Sequence, residues 1–455
     1  MPQTPALRKV KPISVKPIIV VLAWLSGSAA AESEAPTLPQ YGGDSHLGVV
    51  TCAGSTCHGA TRPFQNAAIN QNEFVIWQRK DKHARAYKVL LNEQSKRIAR
   101  NLGLKAAHEA KICLDCHADN AAEDLRGKRF QLSDGVGCEA CHGGSKRYLG
   151  PHVSGENTRQ QNLDVGMYPT ETPESRALLC LSCHLGTDDK FATHRIMGAG
   201  HPRISFELDT FTELQPAHYK IDEDYRKRKQ VFSGVQVWAI GQLIAVERFL
   251  KLLASPKYRG IGPWPELAFY DCHACHHPMS DRRWRPRELT RALGPGVVRL
   301  NDANFLILSQ IAGRLGPDLG ERFKRAVEDL HKATIKDQAS VQAAAARLGE
   351  VTANLRGILV QHSFSAADMK AMLQVMASEG ASGEYNDYGA AEQAVMAMAS
   401  IKDVLEQTGS LTAGEKADLT ALMSRLYAVL EDPDKYRPEQ LSTVLQTLAG
   451  RTPRS

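Results

Sequence analysis

The ten cysteines of this chain fall into five pairs, and a histidine directly follows the second cysteine of each pair. Four pairs have the spacing C-x-x-C-H, and the first has the wider spacing C-x4-C-H. The motifs are, in chain order, Cys52, Cys57 and His58; Cys113, Cys116 and His117; Cys138, Cys141 and His142; Cys180, Cys183 and His184; and Cys272, Cys275 and His276. Two thiols at such spacing can bond covalently to the edge of a porphyrin, while the adjacent imidazole ligates its iron. The pattern therefore predicts five covalently bound haem c groups.

Structural zinc is the competing interpretation of paired cysteines. Zinc sites of this kind usually combine two motifs into one set of four ligands, and five motifs leave one over. Haem attachment uses every motif in the same way and is favoured. Because each cysteine then bonds to haem, we expect no disulfide, even in an oxidising compartment.

The first 31 residues have the pattern of a secretory signal. Four basic residues come first, an apolar run follows at residues 18–25, and three small residues end at Ala31. This run is shorter than the roughly 20 residues that a membrane-spanning helix needs. The pattern predicts export to the periplasm, with cleavage near Ala31 and no membrane span in the mature chain. An uncleaved membrane anchor is the alternative.

The formal charge of +6 overstates how basic the mature protein would be. Residues 1–31 hold four Lys and Arg and no Asp or Glu, so their removal leaves +2. Haem propionates would add negative charge. This balance gives no support for nucleic acid as a partner.

The positions of the motifs suggest two folded domains after the signal. All motifs lie before residue 277, in a segment rich in loops, and we expect a pentahaem cytochrome domain over residues 32–290. An Ala-, Leu- and Met-rich helical pattern begins near residue 291. It predicts a bundle of five to seven helices over residues 291–455. The expected fold class is mainly α, with few strands.

Several helices can be predicted individually from apolar periodicity and capping residues. Residues 74–91 and 235–253 have helical patterns within the haem domain. In the bundle, capping boxes begin at Ser365 and Thr412, and a third helix carries Phe323. The methionines after Ser365 recur at helical spacing, so we interpret them as core residues and not as haem ligands.

Eleven further histidines could supply a second axial ligand to the irons. Six of them lie near the haem motifs and are our candidates: His46, His83, His108, His152, His194 and His201. His201 follows a short glycine-rich turn, which suits a projecting ligand. His218 lies in a polar stretch with weaker support, and His273 and His277 are too close to their own motif to cross its haem. His331 and His362 are expected to be structural.

The motif order resembles that of the cytochrome c-554 family over residues 45–205. The shared pattern is CH at Cys57–His58, W-x5-H-A-x-A from Trp77 to Ala86, C-L-x-C-H from Cys113, and G-V-x-C-E-x-C-H-G from Gly135. A histidine, His152, follows ten residues after the last of these motifs. The family is related in haem packing to hydroxylamine oxidoreductase and pentahaem nitrite reductase, and it carries electrons through closely stacked haem pairs.

This resemblance implies roles for particular histidines. It implies that His152 is the distal ligand of the first haem, that His83 serves the third haem at His142, and that the second haem at His117 can lack a strong distal ligand. The chain departs from the family pattern in its widened first motif, its fifth motif at Cys272 and its helical bundle. His46, His108, His194 and His201 therefore remain unassigned among the second, fourth and fifth irons.

Two functions remain open at this point. The first, which we favour, is electron transfer between a donor and an acceptor protein, which could include a complex of the inner or outer membrane. The second is an oxidoreductase that acts on a small nitrogen or sulfur compound at a five-coordinate haem. No lysine-ligated C-x-x-C-K motif, which some related enzymes carry, occurs in the sequence.

Overall fold

The computed structural model describes residues 35–450, apart from residues 66, 68, 259–263, 278–285 and 295. The expected secretory signal lies outside the described residues. Over the described residues the protein is mainly α, with 62% of them helical and almost no strands, which confirms the predicted fold class. Extended pairing in the described part is limited to two isolated bridges, His46 with Arg126 and Tyr270 with Leu300.

Eleven helices of 4 to 12 residues and one longer helix form the part that carries the motifs. They are α1 (Glu73–Lys80), α2 (Ala86–Val89), α3 (Glu93–Leu102), α4 (Lys111–His117), α5 (Cys138–His142), α6 (Leu149–Ser154), α7 (Arg159–Asp164), α8 (Pro173–His184), α9 (His194–Gly198), α10 (Leu208–Leu214), α11 (Glu223–Arg228) and α12 (Gly234–Ala254). Short 3₁₀ turns join several of them, including His83–Arg85 and Cys272–Ala274.

In the part of this region that the structure describes, seven helices of 12 to 22 residues follow, in agreement with the predicted number for the bundle. They are α13 (Ala303–Leu315), α14 (Pro317–Thr334), α15 (Gln338–Leu359), α16 (Ala366–Ser382), α17 (Tyr388–Gln407), α18 (Ala413–Val429) and α19 (Pro438–Ala449). Both predicted capping boxes are present, at Ser365 before α16 and at Thr412 before α18. Each gives the first backbone N–H groups of its helix a hydrogen-bond acceptor.

Helix α12 lies at the centre of the packing. It contacts α8 and α10 on the motif side and α13, α15 and α17 of the bundle. Most of its side chains are buried, as a helix that is apolar on all sides requires. The fourth motif stands at the end of α8, so the bundle core directly supports that motif.

The predicted helix over residues 74–91 is interrupted, which corrects the sequence-based expectation. Helix α1 ends at Lys80, and Asp81 has extended backbone angles. The Asp81 carboxylate accepts hydrogen bonds from the backbone N–H and the Nδ1 of His83, both at 2.9 Å. An acidic side chain that bonds its own neighbouring backbone competes with helix continuation. The break places the His83 ring opposite that of His184 in the fourth motif.

The apolar core is distributed unevenly. One large cluster of buried side chains runs from Ala177 of α8 to Leu445 of α19. A second cluster contains only five buried residues, among them Leu90 and Leu114. Contacts group Pro36–Ser455 as one compact unit. The domain boundary at residue 290 stays a prediction, and α12, which precedes it, packs against helices that follow it.

Candidate cofactor-binding site

Each of the five motif histidines faces a second histidine ring. The ring centroids are separated by 6.1 Å in His58–His152, 6.4 Å in His117–His201, 6.4 Å in His142–His218, 6.3 Å in His184–His83 and 6.2 Å in His276–His194. Two imidazoles on opposite sides of one metal ion, each bonded at about 2.0 Å, have their ring centres about 6 Å apart. Every pair therefore has the ring separation that two imidazoles bound to one iron require.

The five pairs differ in how their ring planes are arranged. The planes are 9° apart in His58–His152 and 25° apart in His194–His276. In the other three pairs, the planes lie between 78° and 87° apart. The angle between the imidazole planes changes the EPR signal of a low-spin ferric haem, so the two groups should be distinguishable.

Four of the paired histidines have Nδ1 held by an oxygen atom. The partners are Glu73 for His58 at 2.9 Å, Asp81 for His83 at 2.9 Å, the carbonyl of Ala86 for His117 at 3.1 Å and the carbonyl of Pro202 for His201 at 2.8 Å. A donor at Nδ1 leaves Nε2 as the metal-binding nitrogen and fixes the ring orientation. These hydrogen bonds are those that a haem-ligating imidazole requires, so the residues present fit the cofactor.

Burial and hydrogen bonding shift the pKa values of these histidines in different directions. Burial lowers the pKa of His142 to about 3, and it also lowers the pKa values of His117 and His184. The hydrogen bond with Asp81 raises the pKa of His83 despite its burial. A neutral ring is the form that binds metal.

The fifth pair differs from the others because both His194 and His276 are exposed.

The tryptophan of the sequence motif W-x5-H fixes this segment against the third motif. The indole Nε1 of Trp77 donates to the carbonyl of Val136 at 3.0 Å, and the N–H of Val136 donates to the carbonyl of His83 at 3.1 Å. Val136 lies two residues before Cys138. Residues 77–83 are thus attached to the start of the third motif, while the His83 ring faces His184 of the fourth.

The widened first motif closes as a compact loop. The N–H of His58 donates to the carbonyl of Cys52 at 3.1 Å, and that of Cys57 donates to Gly54 at 2.9 Å. A side chain at Gly59 would come within 1.9 Å of the Ala53 carbonyl oxygen, so only glycine fits there. The loop accommodates the two extra residues and still brings His58 opposite His152.

The third motif is anchored through the buried carboxylate of Glu139. It accepts hydrogen bonds from the N–H groups of Leu47, Gly48 and Ser145 and from the Ser145 hydroxyl, at 2.6 to 2.8 Å. His46 and Asp119 lie close enough to Glu139 to form a possible metal-ligand group. The hydrogen bonds already made by Glu139, together with that from His46 Nδ1 to Asp119 at 2.8 Å, indicate a structural cluster.

Two of the candidate distal ligands are not brought to a motif histidine. His46 is 1% exposed and is held by Asp119. His108 lies on a 3₁₀ turn, where its ring packs edge-on against Tyr87. Among the described ring contacts, neither faces a motif histidine.

The fifth motif is attached to the bundle by a buried network of charges. Asp271, directly before Cys272, pairs with Arg299 at 2.7 Å, and Arg299 pairs with Asp387 at 3.0 Å. Arg287 bonds Asp387 as well and lies 3.2 Å from Asp302. The Asp271 carboxylate also accepts the N–H of His273 at 3.0 Å, which caps the 3₁₀ turn of the motif. Removing one member would leave an uncompensated buried charge.

Cysteines from different motifs lie next to each other. The Cys52 and Cys138 side chains are close enough to interact, which places the first motif beside the third. Those of Cys116 and Cys183 are also close enough to interact, which places the second beside the fourth. Lys190, which is 7% exposed, donates to Cys183 Sγ at 3.1 Å and to the Asp115 carbonyl at 3.0 Å, and so connects the fourth motif to the second.

Two further links connect the remaining motifs. Cys141 of the third motif is within electrostatic range of Cys180 and Cys183 of the fourth. Helix α9 begins at His194, whose ring faces His276 of the fifth motif. His201 lies three residues beyond the end of α9, and its ring faces His117 of the second motif. The third motif therefore lies near the fourth, and α9 with the turn that follows it holds the histidines that face the fifth and second motifs.

Several pairs differ from those that the family resemblance implies. His152 faces His58 as implied, but His83 faces His184 and not His142. His201 faces His117, although the resemblance implies that the haem at His117 can lack a strong distal ligand. Sequence reasoning left His218 out of the candidates, although it faces His142. It is 76 residues from His142, and nothing in its local sequence distinguishes it from a surface histidine.

Comparison with known families supports the sequence resemblance. Residues 51–143, which contain the first three motifs, match the family model described as cytochrome c554 and c-prime. The resemblance to the cytochrome c-554 family is therefore confirmed over that range. The match supports a c-type cytochrome with covalently bound haem c that takes part in electron transfer and has redox proteins as partners.

No curated protein and no solved structure matches the chain. Among the described residues, no helix has both the length and the apolar character to cross a membrane.

Proposed function

We propose that this chain is a pentahaem c-type cytochrome that passes electrons between a donor and an acceptor protein in the periplasm. The observation that carries the proposal is that all five motif histidines face a second histidine at 6.1 to 6.4 Å. In this assignment the ten cysteines hold the porphyrins, and His152, His201, His218, His83 and His194 are the distal ligands of the first to fifth haems. His46 and His108 are replaced as candidates by His218.

The bound haems would supply a one-electron iron couple whose potential depends on ligands, burial and nearby charge. The protein's own residues would keep both axial positions filled and hold the imidazoles in fixed orientations. Glu73 and Asp81 do so through charged hydrogen bonds, which also make the imidazole a stronger donor to iron. Fixed ligands change little between oxidation states, as fast electron transfer requires.

Neighbouring motifs suggest a single route through the protein. We infer the order first, third, fourth, second and fifth haem. The inference rests on the closeness of cysteines of different motifs, on Lys190, which bonds both Cys183 and the Asp115 carbonyl, and on the shared helix α9. The fifth haem would then extend the route beyond the second. Its exposed ligands, His194 and His276, would leave it open to a partner.

Catalysis at an open iron is the alternative function, and the structure gives it less support. The resemblance implies that the second haem can lack a strong distal ligand, but in the structure His201 faces His117 of that motif. EPR spectroscopy of the ferric holoprotein separates the two functions. We expect only low-spin signals that hydroxylamine, nitrite and cyanide leave unchanged. A high-spin signal that shifts with one of these compounds would overturn the carrier proposal for that centre.

Substitution of individual histidines tests the ligand assignment. His201→Ala and His218→Ala should each convert one of the five centres to high spin, because each removes one axial ligand. His108→Ala is the matched control and should leave all five low-spin. If His108→Ala produced a high-spin centre, or if His218→Ala did not, the assignment would be incorrect.

A further inference from the structure

Positive charge is concentrated in one segment of the motif region. Residues 78–111 contain ten Lys and Arg and three Asp and Glu. The chain after residue 31 carries only +2 in total, so the remaining residues are acidic on balance. A protein with such an asymmetric charge distribution presents one attractive side to an acidic partner.

All ten of these cations are exposed to solvent. The exposed cations are Arg79, Lys80, Lys82, Arg85, Lys88, Lys96, Arg97, Arg100, Lys105 and Lys111. Of the three acidic residues, Asp81 is buried, while Glu93 and Glu109 pair with Lys96 and Lys105 at the surface. We refer to the exposed residues of segment 79–112 as the basic face.

Apolar side chains are also exposed on the basic face. Val89 is 45% exposed, Leu91 43% and Ile112 48%. Helices α2 and α4, which carry or adjoin these residues, are in contact. Their sequence neighbours Leu90 and Leu114 are buried in one cluster, and the half-buried Cys113 of the second motif packs against it. Exposed apolar residues with charged neighbours are typical of protein-binding surfaces.

The basic face continues to the ligands of two proposed haems. Side chains of α3 hold the end of α9: Gln94 donates to the Gly200 carbonyl at 3.2 Å, and Asn101 donates to the Ala199 carbonyl at 2.9 Å. Helix α9 carries His194, and His201 follows it. A protein bound to the basic face would therefore lie close to the second motif and beside the fifth.

We propose that the basic face is the docking site for a small acidic redox protein, which exchanges electrons with the haem at the second motif. This inference rests on the proposed electron-transfer function. Lys and Arg at the rim would orient the partner and raise its rate of association. The apolar side chains Val89, Leu91 and Ile112 would then exclude water from the contact above Cys113.

Stopped-flow reduction of the ferric holoprotein by a strongly acidic plant-type ferredoxin tests the proposal. The test variant combines Lys88→Glu, Arg97→Glu and Arg100→Glu. The matched control combines Arg226→Glu, Lys227→Glu and Arg228→Glu, the exposed basic run of α11. We expect the second-order rate constant to fall at least about tenfold in the test variant at low ionic strength, because steering by charge changes association rates by about 10- to 1000-fold. The control should change it less than about twofold.

Higher ionic strength should bring the wild-type rate toward that of the test variant, since salt screens exposed charges. The docking proposal is overturned if both triple variants slow the reaction equally, or if neither does. Reduction by dithionite needs no docking and should be equal in all three proteins. A holoprotein that dithionite does not reduce would instead contradict the proposed electron-transfer function.

Discussion

The motif region and the helical bundle reach stability by different means. Helices α1–α11 have 4 to 12 residues, and the only buried cluster confined to their part of the described chain holds five residues. Helices α13–α19 have 12 to 22 residues and share the large apolar cluster with α12. In the motif region, the motif cysteines and histidines are half-buried or exposed, so the protein does not enclose them in an apolar core of its own. The difference indicates that haem supplies the missing core of one region, while the other folds around its own side chains.

The largest expected effect is that of withholding haem from the whole chain. Without haem attachment, the motif region should lose its folded state, because its side chains alone bury too little apolar surface. The α12–α19 region should remain folded. Limited proteolysis with mass spectrometry should show rapid cleavage between residues 35 and 230 and a resistant C-terminal fragment. Equal resistance of both regions in the haem-free chain would contradict this comparison.

A cavity in the bundle should give the next largest effect. Leu355 of α15 is fully buried in the large cluster, and Leu355→Ala should reduce the free energy of unfolding by about 2 to 5 kcal/mol. Urea unfolding followed by circular dichroism measures this change. Ile358→Ala, on the same helix at a side chain 47% exposed, is the control and should cost less than about 1 kcal/mol. Similar losses in the two variants would argue against a packed core at Leu355.

A half-buried acid in the bundle, Glu379, should make stability depend on pH. Burial raises the pKa of Glu379 to about 7. The folded protein therefore holds this proton more tightly than the unfolded chain does, and the free energy of unfolding should fall as pH rises from about 4.5 through 7. Glu379→Gln should remove this dependence and stabilise the protein by about 1 to 2 kcal/mol at pH 8, but not at pH 4.5.

Thermal unfolding at the two pH values measures this effect. Glu415→Gln is the matched control because the Glu415 carboxylate lies at the surface, where its hydrogen bonds lower its pKa to about 2. It should not reproduce the gain at pH 8. A gain of equal size at both pH values in Glu379→Gln would show that improved packing, and not titration, is the cause.

The smallest expected effect concerns the tuning of one haem in the motif region. Asp81→Asn replaces the carboxylate that accepts the Nδ1 hydrogen bond of His83 by a neutral amide. Loss of this negative charge should destabilise the ferric state and raise the potential of the fourth haem by the equivalent of about 1 kcal/mol. Spectroelectrochemical titration should show one of five components moving to higher potential. The exposed substitution Asp164→Asn should leave all five unchanged.

The sequence was informative about elements whose signals are local. Apolar residues at helical spacing, together with capping residues, predicted α12, α16 and α18 within a few residues of their observed bounds. It was less informative at residues 74–91, where the helical pattern of the sequence continues through Asp81 but the helix ends at Lys80. The hydrogen bonds from His83 to Asp81 break that helix, and apolar periodicity contains no information about them.

The amino-acid sequence by itself determined the motifs, because covalent attachment and ligation by an adjacent histidine require residues that are close in the chain. It also determined the helical bundle, since helix periodicity and capping are local. Only the tertiary structure decided which histidine faces which motif. His83 reaches the fourth motif across about 100 residues, and His218 reaches the third across 76. The distance between such residues depends on how α8, α9 and α12 pack, and neither sequence spacing nor residue type specifies that packing.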